Sequence, residues 1–116
     1  TDEVDTYIDD PLCGFAVSTQ TWFDMLSALG RIASPDDVAR VPKELPLYLF
    51  AGDQDPVGEH GKGMRRLADA YPRAGLRDVR LELYPGGRHE MLNETNRAQV
   101  MANFIAWCDE MVTAQS

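Results

Sequence analysis

The sequence predicts an α/β fold that forms one end of a larger parallel sheet. Three observations carry this. From residue 46 onward the chain alternates strand, helix, strand, helix, the order that builds a parallel sheet with helices packed over it. The first strand-like run, "LPLYLF", is apolar on both faces, as strands covered on two sides are. Only two strand-like runs are visible, and so apolar a strand expects neighbours on both sides. The 116 residues suit one domain or part of one. A helical segment with its linker is expected over 1–45 and the sheet-bearing part over 46–116.

Taken in order, residues 1–17 hold five acids in the first ten and then "DPLCGF", an irregular lead-in with a short helical turn. Ser18 reads as the N-cap of a helix in which Trp22, Met25, Leu26 and Leu29 recur at helical spacing, with Gly30 as its stop. "SPDDVARVP" repeats the pattern: Ser34 caps, Pro35 takes the first position, acids fill the first turn and Pro42 ends it. After the strand, residues 58–71 read as a helix with Met64, Leu67, Ala68 and Tyr71 on one side. "VRLELYP" alternates Val79, Leu81 and Leu83 with Arg80, Glu82 and Tyr84 as a second strand. "GGRHEMLNE" is a loop. A long helix from about Asn93 to Val112 follows, with a stripe of Val100, Phe104, Trp107, Cys108 and Met111.

Composition narrows the function. A net charge of −8 argues against nucleic acid or an anionic membrane as partner, since both demand basic surface. Residues 1–60 hold twelve acids against three bases, which reads as a solvated acidic face rather than a site. Cys13 and Cys108 lie far apart without metal-ligand spacing. No apolar run approaches the roughly 20 residues that span a bilayer, and no secretory leader is present; a cytoplasmic location is expected. The chain opens on Thr and is read as processed or cut from something longer.

In an open parallel sheet, functional groups gather just past the C-terminal ends of the strands. Asp55 follows the first strand and His89 the second. If the strands are neighbours, a carboxylate can hold one ring nitrogen of the imidazole while the other moves a proton. Gly86 and Gly87 let the second loop bend before it presents the histidine. Asp53 serves the turn or caps the next helix, and His60 lies at a helix start on the surface.

"LPLYLFAGDQDPVG", then "LYPGGRHEMLNE", then a long closing helix resembles the C-terminal end of an α/β-hydrolase. It is most similar to the branch of lysophospholipases, monoacylglycerol lipases and serine aminopeptidases. Gly52 and Asp55 match that branch's Gly-x-x-Asp, which carries the triad acid. His89, Glu90 and "MLNE" match its histidine loop. The resemblance covers about 46–112, while 1–40 look less specifically like the tail of a helical cap over the active site. It implies a serine hydrolase of carboxylic esters, a lysophospholipid or monoacylglycerol being the substrate type, with Asp55 orienting His89 and no cofactor or metal required. Phe15, Trp22 and Phe23 would then line an acyl pocket or simply pack.

The resemblance also implies a serine on a Gly-x-Ser-x-Gly elbow before Asp55, and the 116 residues contain no such motif. Ser18 and Ser34 read as caps, Ser27 lies within a helix, and Cys13 lacks a strand-to-helix elbow. The expected partner is therefore the missing N-terminal part of the hydrolase, carrying the serine. The chain is a piece of a nicked, split or truncated enzyme, one whose serine arrives from another polypeptide, or a non-catalytic remnant. Two other classes stand beside this one. Asp53-x-Asp55-x-Val57 matches the nucleophile motif of Mg-dependent haloacid-dehalogenase-like phosphatases, but Gly52 separates strand from acids and no later acidic pair completes a metal site. The other is an α/β binding fragment that pairs through an exposed strand edge.

Overall fold

The computed structural model describes residues 2–114. Its elements are helices α1 (Asp2–Asp9), α2 (Thr19–Ile32) and α3 (Pro35–Ala39), strand β1 (Leu47–Gly52), helix α4 (Lys62–Arg73), strand β2 (Val79–Tyr84), a 3₁₀ turn (Met91–Asn93) and helix α5 (Arg97–Ala114). The strands pair in parallel, in register from Leu47 opposite Val79 to Gly52 opposite Tyr84. The chain is thus α/β from β1 onward, with α4 as the crossover.

The described residues divide between Asp37 and Val38 into two compact units. The first holds α1 and α2. The sequence suggested only a helical turn near the start, yet α1 is a full eight-residue helix. Asp2, Glu3 and Asp5 in its first turn favour the dipole, and Thr6 Oγ1 donates to the Asp2 carbonyl at 2.8 Å. Helix α2 starts as expected, with Ser18 Oγ accepting from Thr21 N at 3.2 Å. It runs past Gly30, because one interior glycine costs only about 1 kcal/mol, and ends before Ser34 and Pro35.

In the second unit, residues 38–46 run with the sheet. Val38 is buried, Arg77 N donates to the Lys43 carbonyl at 3.2 Å, and the Arg77 guanidinium pairs with Glu44. The two sheet faces are then covered differently. Tyr48 and Phe50 share one face, where their rings meet Phe104 and Trp107 of α5 at centroid distances of 5.4–6.3 Å. On that same face Tyr84 accepts from Asn103 Nδ2 at 2.9 Å, and Arg80 forms a two-pronged pair with Glu110. Helix α4 packs against both strands. A small core of Tyr84, Met91 and Val100, with Phe50 against it, lies beneath the second loop; burying such side chains is worth about 1.5–3 kcal/mol each.

Strand β1 is less covered than its composition asks. Leu47 to Phe50 are half-buried, and only Ala51 and Gly52 are buried, because β1 has one strand neighbour among the described residues. Two helix starts also move. Helix α4 begins at Lys62 rather than 58, since Glu59 and His60 adopt left-handed φ values of 53° and 54°, a conformation that excludes helix. Helix α5 begins at Arg97 rather than 93 because Met91–Asn93 is a separate 3₁₀ turn.

The two strand ends meet at glycines. Gly87 N donates to the Tyr84 carbonyl at 3.2 Å across Pro85 and Gly86, and Gly86 has the positive φ, +74°, that a type II turn needs at its third position. A Cβ on Gly52 would lie 2.0 Å from the carbonyl carbon and oxygen of Gly87. Gly52→Ala must therefore push the second loop away from the first strand, at a cost of about 1–3 kcal/mol or more. Urea denaturation should show that loss of stability; an unchanged midpoint would contradict the contact.

Candidate active site

The first loop is folded by its own backbone around Asp55. Asp55 N donates to the Gly52 carbonyl at 3.3 Å, and His60 N returns to the Asp55 carbonyl at 2.8 Å. Asp55 Oδ1 accepts from Val57 N at 2.9 Å, the local turn an aspartate readily makes. The second loop is tied to the first by Gln54 N donating to the Gly87 carbonyl at 2.9 Å. His89 comes two residues later, and its Nδ1 lies 3.0 Å from Asp55 Oδ2.

The asymmetry of this pair defines what it can do. The Asp55 side chain is 8% exposed and that of His89 60% exposed. An ionised carboxylate can only accept, so Nδ1 carries the proton and the lone pair of neutral imidazole sits on Nε2. Among the described residues none hydrogen-bonds Nε2. The hydrogen bond from His89 holds the Asp55 carboxyl below its ordinary 3.8, with Val57 N–H helping and burial opposing. The same bond and the Asp55 charge raise His89 above its ordinary 6.5, with a smaller push from Glu90. Beside the pair lies an open groove of about 430 Å³ walled by Phe50, Val57, Met64, Met91 and Leu92.

The structure thus brings Asp55 and His89 together. Asp53 makes neither of Asp55's bonds: its Oδ1 accepts from Gly86 N at 2.8 Å and from Gln54 Nε2 at 3.1 Å. It serves the turn and does not cap α4, whose N-cap is Gly61. Both acids of the phosphatase-like motif are thereby committed to N–H donors, and no group of three or more metal-ligating side chains occurs among the described residues. His60 is exposed. Cys13 sits in a turn, its N–H on the Asp10 carbonyl at 3.0 Å, and both cysteines are free thiols. Phe15, Trp22 and Phe23 are exposed.

Sequence reasoning passed over Glu94. Its Oε1 accepts from Arg88 N at 3.0 Å and from Arg88 Nε at 2.7 Å, and its Oε2 from Arg88 Nη2 at 3.2 Å. The signal was the run "MLNE", whose glutamate had no assigned task. The Gly52–Gly87 approach was also missed, although a glycine at the end of each strand hinted at it.

Residues 1–96 match the family described as serine aminopeptidase, S33. The chain belongs to this α/β-hydrolase family. A highly thermostable carboxyl esterase from Bacillus coagulans, solved in complex with glycerol, is similar to it at 28% identity with a TM-score of 0.86. That match covers 94% of this chain and 36% of the esterase. A lipase in its open form is similar at 32% identity with a TM-score of 0.78, over 95% of this chain and 36% of the lipase. The chain therefore spans a little over a third of each of these hydrolases. No helix among the described residues is long and apolar enough to cross a membrane.

The pairing has a pH signature with a definite sign. Stability from the raised His89 is fully present below 6.5 and is lost as pH rises through its folded value. Stability from the lowered Asp55 is present above 3.8 and is lost as pH falls through its folded value. Asp55→Asn should therefore destabilise most between those limits. By NMR, His89 should titrate above 6.5 in the unsubstituted chain and fall back toward it in D55N. An identical His89 titration in both would contradict the pairing.

Proposed function

We propose that this chain is the C-terminal portion of a serine hydrolase of carboxylic esters, supplying the acid and the base of its triad. The carrying observation is a largely exposed histidine tied through Nδ1 to a buried carboxylate, with Nε2 unclaimed among the described residues. In the complete enzyme the serine comes from a part of the protein outside these 116 residues. The oxyanion donors come with it, since one is the N–H following the serine. The half-buried β1, apolar on both faces, suits a sheet that continues there.

The chemistry then runs in two halves. His89 Nε2 takes the proton of the serine hydroxyl as its oxygen bonds to the ester carbonyl carbon. The C–O bond to the alcohol breaks, and His89 returns the proton to the leaving oxygen. His89 next deprotonates water, which attacks the acyl-serine; the acid leaves, and the serine oxygen regains its proton from His89. Asp55 keeps Nδ1–H in place and stabilises the imidazolium. No step calls for a cofactor or metal. Lysophospholipids or monoacylglycerols are the proposed substrates, supported by the family branch and by the apolar wall beside His89. A cytoplasmic location is part of the same proposal, and suits two free thiols.

In the native protein that contains this chain, His89→Ala and Asp55→Asn should each lower kcat for a p-nitrophenyl ester, the latter by about 10⁴-fold, with KM changed far less. Full activity in either variant would refute the proposal. A native protein with no ester hydrolysis at all would favour the non-catalytic binding fragment.

A further inference from the structure

The loop that carries His89 is gripped at two points that the triad does not explain. Asp53 Oδ1 takes Gly86 N–H at 2.8 Å, and Glu94 Oε1 takes Arg88 N–H at 3.0 Å. Among the described residues no backbone carbonyl takes either N–H. Between them lies Gly87, the residue pressed against Gly52. The Glu94 side chain is only 10% exposed and is locked from its outer side by the Arg88 guanidinium.

We propose that Asp53 and Glu94 are positioning residues for His89: a bracket of two carboxylates that fixes the loop backbone on either side of the Gly52–Gly87 contact. Neither touches the imidazole. They act through the backbone immediately before it, so that Nδ1 falls on Asp55 and Nε2 is left unclaimed among the described residues. The proposal rests on reading His89 as the base of a triad.

Physical need and physical means agree. Two successive glycines give this loop more backbone freedom than any other residues would, and a misplacement of about 1 Å in a catalytic group can cost about 10²-fold in rate. Side chains of Gly86 and Gly87 cannot supply restraint, so it must come through backbone groups: the Gly87 carbonyl on Gln54 N–H and the N–H groups of Gly86 and Arg88. An ionised acceptor makes a hydrogen bond roughly twice as strong as a neutral one. The two acids differ in what they require. Asp53 needs only an acceptor oxygen facing Gly86, which asparagine retains. Glu94 also answers the charge of Arg88, which glutamine does not.

The test uses the native protein that contains this chain, with D53A, D53N and E94A, and D55N as reference, reading the His89 titration by NMR beside the thermal midpoint. In folded D53A and E94A the titration midpoint should move down in the direction of D55N, and D53N should restore the unsubstituted value. A merely structural role would lower the thermal midpoint and leave the His89 titration in place, which would overturn the bracket. Should D53A not fold, amide exchange in the unsubstituted protein decides. Gly86 and Arg88 N–H should exchange at least about tenfold more slowly than in an unstructured peptide; exchange at the unstructured rate overturns the proposal. If D55N lowers the His89 titration while D53A and E94A do not, the bracket alone falls. If His89 titrates as an ordinary imidazole in the unsubstituted protein, the triad reading falls and takes the bracket with it.

Discussion

A carboxylate removed from water has to be answered, and in this protein the answer organises everything around it. Asp55 is 5% exposed. An uncompensated charge in that position would cost several kcal/mol, a large share of the roughly 5–15 kcal/mol that holds a domain folded. One oxygen is satisfied locally by Val57 N–H. The other meets His89 Nδ1 across 34 residues of chain. That demand sets the orientation of the imidazole. It also requires the second loop to lie close over the first, which is why glycines face each other where the strands end. The same pairing that answers the buried Asp55 leaves Nε2 as the ring nitrogen that no described residue hydrogen-bonds.

The parts of this arrangement that are local in sequence were legible in it. The apolar run before Gly52 and the alternation in "VRLELY" give two strands, and strand ends of a parallel pair place Asp55 and His89 side by side. Ser18 and Ser34 read correctly as caps because capping involves neighbours only. What escaped depends on how the two loops meet. Asp53 could serve a turn or cap a helix, and only the position of Gly86 shows which. Glu94 belonged to the matched run "MLNE" without a task of its own, and only the fold brings Arg88 N–H to it. The helix starts at 62 and 97 slipped because neither the left-handed residues at 59 and 60, which return His60 N–H to the Asp55 carbonyl, nor the 3₁₀ turn at Met91–Asn93 leaves a mark in hydrophobic periodicity.

Membership of the serine aminopeptidase family and the likeness to an esterase and a lipase fit a site of this kind. The chain matches only 36% of either solved hydrolase, and it holds the Asp55–His89 pair without a Gly-x-Ser-x-Gly motif in these 116 residues. On the proposed reading the labour is divided: this part sets the proton-moving group, and the remainder brings nucleophile and oxyanion donors. The unevenly covered β1 is the physical counterpart of that division, since its apolar faces exceed what one neighbouring strand can shield.

The most direct measurement is fluorophosphonate labelling of the native protein that contains this chain, read by intact mass and peptide mapping, with His89→Ala alongside. The account predicts one label on a serine outside residues 1–116, and its loss when His89 is removed. Labelling that persists at the same rate without His89, or a native protein that takes no label, would contradict it.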